Sequence, residues 1–135
     1  ILTHGTISKI IEDVIDDNDL GCLVTLVVIE RIKPFPKGEF YKVADGITRI
    51  IVIEEHYEAG GLFDHTLREC TALGLITKIE SICLPHKFIK VVGSQENLLE
   101  DLELNKNNIV SHEYLWYKKI NISLIQKNLK ILLHS

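Results

Sequence analysis

A chain of 135 residues, 46% hydrophobic and 25% charged, has the length and apolar content for one domain with a buried core. Its formal net charge of -4 gives no general attraction to nucleic acid or to an anionic membrane. No apolar run approaches the roughly 20 residues of a membrane-spanning helix, and the opening stretch Ile1–His4 is too short for the apolar part of a signal peptide.

The predicted elements alternate. Ile1–His4 reads as a short strand closed by Gly5. Ile7, Ile10, Ile11, Val14 and Ile15 then recur at helical spacing, and the cluster Asp16, Asp17, Asn18, Asp19 ends that helix. Cys22–Ile29 is nearly continuous, rich in β-branched residues, and reads as a strand buried on both faces, until Pro34 and Pro36 stop it. A short helix is expected at Lys37–Ala44, a turn at Asp45-Gly46 and a second buried strand at Ile47–Ile53.

After a loop at Glu54–Gly61, the apolar stripe Leu62, Phe63, Leu67, Cys70, Leu73 predicts a helix ended by Gly74. Ile76–Leu84 is a further strand. Lys78 and Glu80 alternate with Ile79, as on a sheet edge or a half-exposed position. Ser94 is a good N-cap for a helix through Leu102, Asn105 starts another through Tyr114 and Trp116, and Ile122, Ile125, Leu129 and Leu132 form a last amphipathic segment. Strands alternating with helices imply right-handed crossovers: an α/β chain with three α/β/α layers around a mostly parallel sheet of four or five strands.

The most distinctive stretch is Val52–Leu62, which runs from the C-terminal end of a strand into a helix N-terminus. Open α/β sheets bind ligands at such places. Glu54, Glu55, His56, Tyr57, Gly60 and Gly61 are therefore the candidate ligand or interface loop. The two glycines allow close approach of a backbone, and free helical N–H groups could hold an anion. The plainer alternative is a tight turn that packs helix against strand. Glu54, Glu55, His56 and Glu58 could serve as acid–base groups, or could face solvent or a neighbouring domain.

Neither a dinucleotide fingerprint nor a phosphate loop is present, because G-x-G-x-x-G and Gly-Lys-Ser/Thr are both missing. No G-x-S-x-G elbow exists, and Ser81 beside Cys83 fits core or edge. His4, His65, His86, His112 and His134 are scattered, so no metal site is expected. Cys22, Cys70 and Cys83 are odd in number and far apart, and read as buried, reduced thiols of a cytoplasmic protein. Lys118, Lys119, Lys127 and Lys130 read as the wet face of the terminal helices, with a docking surface as the sharper alternative. The absence of methionine and the start inside a β-like run point to a piece of a longer polypeptide.

These segments also resemble a known family. Val52–Leu62, "VIEEHYEAGGL", is similar to the "VEDHY…GG" segment of transketolases, and to its counterparts in deoxyxylulose-phosphate synthases and the β subunits of 2-oxo acid dehydrogenases. "ILTHGTI" at 1–7, "ERIKPFP" at 30–36 and the run from Leu84 to Val110 resemble flanking family segments in the same order. The resemblance covers residues 1–110 and implies the family's C-terminal domain; 111–135 would be a helical extension packed on it. Phe63 departs from the family, which commonly has a glycine there. Relatives bind thiamine diphosphate and a divalent metal in other domains, across a homodimer interface. By that resemblance this segment binds no cofactor and carries no catalytic residue. Its partners would be the remaining domains or subunit of such an enzyme. The alternative is a stand-alone small-molecule or anion-binding module using the Gly60-Gly61 loop.

Overall fold

The computed structural model describes residues 1–86, 90 and 92–111. Four strands and five helices alternate along them: β1 (Leu2–Thr3), α1 (Ile7–Asp17), β2 (Val27–Val28), α2 (Lys37–Ala44), β3 (Arg49–Ile53), α3 (Leu62–Ala72), β4 (Lys78–Ile82), α4 (Gln95–Asp101) and α5 (Lys106–Ser111). The strands form one sheet in the order β2-β1-β3-β4, and every neighbouring pair is parallel.

The chain steps from β1 outward to β2, then returns past β1 to reach β3. Crossovers of one hand then place α1 and α2 on opposite faces. The core divides accordingly. Ile7, Ile11, Val14 and Ile15 of α1 pack with Leu99, Leu104 and Ile109 against one face. Phe40 and Ala44 of α2, with Leu62 and Cys70 of α3, cover the other. β3 serves both, because side chains alternate along a strand: Ile51 and Ile53 enter the first cluster, Ile50 and Val52 the second. The α/β/α sandwich expected from the sequence is therefore present, with a four-stranded, wholly parallel sheet.

Three helices end in the same way. Leu20, Leu75 and Leu104 each donate a backbone N–H to a carbonyl five residues back, on Ile15, Cys70 and Leu99. The residue before each leucine has positive φ: Asp19 (52°), Gly74 (67°) and Glu103 (62°). These are Schellman closures, in which the leucine seals the last turn against the core. Leu104 is 1% exposed.

Three expectations need correction. Cys22–Ile29 is not a long buried strand. After α1 closes, Leu23 and Val24 both donate to the Leu20 carbonyl, so the chain is still turning there. Only Val27–Val28 pairs, at the sheet edge, where Val28 is 42% exposed. Cys22 is accordingly exposed; Cys70 is buried and Cys83 is intermediate. The buried row of α3 is Leu62, Thr66, Cys70, whereas Leu67 and Leu73 are exposed. Thr66 can be buried because its hydroxyl donates to the Leu62 carbonyl at 2.7 Å.

β4 lies at the other edge, as its alternating charges suggested. Glu80 is nevertheless buried, bonded to Arg49 of β3 at 2.5 Å and to Lys78. Ser94 caps α4, accepting from the Asn97 N–H, and Asn105 caps α5, accepting from the Asn108 N–H at 2.9 Å. Among the described residues no helix is long and apolar enough to cross a membrane. The segment Ile122–Leu132, together with Tyr114 and Trp116, lies outside the described residues.

Candidate functional site

The strand order reverses between β1 and β3, so their C-terminal ends border the crevice where doubly wound sheets take ligands. Thr3, fully buried at the end of β1, donates its hydroxyl to the Ile53 carbonyl at 2.7 Å and ties the two strands there. The candidate loop leaves from this point.

Its two adjacent carboxylates go opposite ways, as the strand alternation requires. Glu54 is 3% exposed and turns toward α3. Its carboxylate accepts the N–H groups of Leu62 at 2.7 Å and Phe63 at 2.9 Å. A carboxylate there satisfies two donors that a helix start leaves open and lies favourably on the dipole, worth about 1–2 kcal/mol. The helix start considered for an anion thus already holds one, which weighs against a phosphate in the Gly60-Gly61 loop.

Gly61 explains itself by the same contact. A Cβ built on it would lie 2.5 Å from Glu54 Oε2 and 2.6 Å from the Tyr57 carbonyl oxygen. No side chain fits. Gly60 is a conformational glycine instead: its φ is 78°, with nothing near a would-be Cβ.

Glu55 turns across the crevice. Thr6 Oγ1 donates to its Oε1 at 3.1 Å. Gln95, the first residue of α4, donates from Nε2 to Thr6 Oγ1 at 2.7 Å and lies 3.2 Å from both Glu55 oxygens. Sequence reasoning missed Thr6 and Gln95. They are 49 and 40 positions from Glu55, and nothing local in the chain marks them as partners.

The rest of the loop is bound to β4. The Glu54 N–H donates to the Ile82 carbonyl and the Leu84 N–H to the His56 carbonyl, which prolongs the strand pairing. His56 donates from Nδ1 to the Tyr57 carbonyl, and the Tyr57 ring stacks on His86 at 5.4 Å. Ser81 donates a short hydrogen bond to Glu58. Beyond it lies a cleft of about 420 Å³ that includes Glu58, Cys83, His86, Leu102 and Glu103 in its walls. Burial, and next the Glu58 charge, push the Cys83 thiol above its ordinary value. Burial, and next Glu69, do the same for Cys70. Both thiols stay protonated near neutrality, which makes them poor nucleophiles and metal ligands. Among the described residues no three His, Cys, Asp or Glu side chains gather as a metal site would need.

Fold and loop define a doubly wound α/β domain whose strand-end carboxylates are spent on holding helices and strands together. No protein-family model matches the chain. Over 72 residues, 53% of its length, it is 35% identical to the 1-deoxy-D-xylulose-5-phosphate synthase of Methylacidiphilum infernorum (isolate V4). The matched stretch is 11% of that synthase. This partial similarity supports a relationship to the transketolase family and nothing finer.

Proposed function

We propose that the chain is a C-terminal domain, or a separate subunit, of a thiamine-diphosphate-dependent transketolase-type enzyme. The whole enzyme would transfer a two-carbon ketol unit as a homodimer. This part would have a structural, interface or regulatory role and no catalytic residue of its own. The observation that carries the proposal is the use of the loop carboxylates: Glu54 caps α3, Glu55 joins the loop after β3 to Thr6 at the start of α1 and to Gln95 of α4, and Glu58 bonds Ser81 of β4. None of these contacts pairs one loop carboxylate with another group as acid and base. The partial similarity to a synthase of this class supports the same reading.

The start of α3 does not fit a diphosphate. A diphosphate there would meet the Glu54 carboxylate, and among the described residues no three His, Cys, Asp or Glu side chains gather as a metal site would need. The cofactor and its metal therefore belong to other domains in this proposal, and no step is routed through this chain.

The test is binding and turnover by the purified chain alone. Calorimetry with thiamine diphosphate and Mg²⁺ is expected to show no binding, and a ketol-transfer assay no product. Supplying the thiamine-binding part of the same enzyme is expected to restore turnover. Cofactor binding or ketol transfer by the chain unaided would overturn the proposal.

A further inference from the structure

β4 closes one side of the sheet, and among the described residues its strand neighbour is β3 alone. Lys78 donates its N–H to the Thr48 carbonyl, and the Ile82 carbonyl accepts from Glu54, so the even-numbered residues bond toward β3. Backbone groups alternate along a strand, so Thr77, Ile79 and Ser81 aim theirs out of the sheet. Charges on such an edge usually keep other strands away. Here their order does the reverse for one partner.

From Ile76 to Ile82 the sequence reads I-T-K-I-E-S-I. Outward from Ile79, each side chain has its complement at the same distance on the other side: Lys78 and Glu80, Thr77 and Ser81, Ile76 and Ile82. Two copies of this strand, antiparallel and centred on Ile79, set each residue opposite its complement. Centring on Lys78 or on Glu80 would instead face like charges. Among the described residues Thr77 Oγ1 is buried without a hydrogen-bond partner, and Ile76 is 99% exposed. Ser81 gives its hydroxyl proton to Glu58, so its oxygen is left to accept from Thr77.

The helix layer fits the same contact. α3 packs on both β3 and β4. Strands at the usual spacing would then place two copies of α3 about 10 Å apart, the distance of packed helices. Glu69 pairs with Lys37 of α2, which fixes the flank of α3 turned away from the β4 edge. Leu67 lies about 160° round the helix from Glu69, on the flank toward that edge, and is 44% exposed.

We propose that a second copy of this chain pairs with β4 along its open edge, antiparallel and centred on Ile79, joining two four-stranded sheets across a two-fold axis. About six backbone hydrogen bonds form between the strands. The Lys78 and Glu80 pairs fix the register, and the Leu67 side chains meet above it. The contact holds whether or not the chain belongs to a transketolase-type enzyme.

Sedimentation equilibrium of the full chain should show a dimer that forms with rising concentration. Lys78→Glu turns two attractive cross-strand pairs into two repulsive ones and should weaken association about tenfold or more. Unchanged association would overturn the proposal, as would a chain that stays monomeric at millimolar concentration. Pulsed dipolar spectroscopy reads the register without altering the charges. With a spin label on Ile76→Cys in a Cys22→Ser/Cys83→Ser background, the labelled Cα atoms should lie about 20 Å apart. A separation near ~14 Å or ~27 Å, which is another register, or no dipolar coupling at all, overturns it.

Discussion

The Leu62 amide donates to the Glu54 carboxylate at 2.7 Å, so the residue after β3 caps the first residue of α3. The contact joins strand, loop and helix through one buried side chain. Glu54→Ala would leave the Leu62 and Phe63 N–H groups without this acceptor, and is expected to cost about 2–3 kcal/mol. Glu54→Gln keeps an acceptor oxygen and should cost less. Urea denaturation monitored by circular dichroism measures both. Equal stability of Glu54→Ala and the unmodified chain would show that the cap is dispensable.

Gly61→Ala and Gly60→Ala separate space from conformation. At Gly61 the new methyl meets Glu54 Oε2 at 2.5 Å, and the expected loss is about 2–3 kcal/mol. At Gly60 the methyl has room but φ is 78°, so only the left-handed cost of about 1 kcal/mol applies. Measured midpoints in the reverse order would refute this division of roles.

Glu103 occupies the positive-φ position of the α4 closure, where glycine is unstrained. Glu103→Gly should stabilise the chain by about 0.5–1 kcal/mol, because relief of backbone strain exceeds the added freedom of the unfolded chain. A lower melting temperature in the variant would contradict the assignment.

Glu80 makes stability depend on pH in the acid range. Burial by itself would raise its carboxyl; the hydrogen bonds and charges of Arg49 and Lys78 outweigh that and hold it below its ordinary 4.5. A folded-state value below the unfolded one means that this contribution is fully present above about pH 4.5 and fades as pH falls through the folded value. Glu80→Gln should therefore cost about 1 kcal/mol at pH 7, with the difference shrinking below pH 4.5. A penalty independent of pH would rule out the ionic origin.

Sequence periodicity by itself determined the α/β alternation and most of its boundaries, because burial on a helix or strand leaves a local repeat in apolar positions. Ile7, Ile11, Val14 and Ile15 carry such a repeat and are all buried. It also singled out the segment after β3, since a strand running into paired glycines is a local pattern. Three things required the tertiary structure. Cys22–Leu26 has strand-like composition, but the α1 closure at Leu20 keeps the chain turning as far as Val24. Thr66 looks polar in sequence, yet its bond to Leu62 lets it enter the core. The candidate loop was readable as a place but not as a set of contacts. Which carboxylate turns in toward Leu62 and which meets Thr6 and Gln95 depends on strand direction and on helices far along the chain. Partners separated by 40 or more positions leave no local trace, because the chain between them is free to vary without altering the contact.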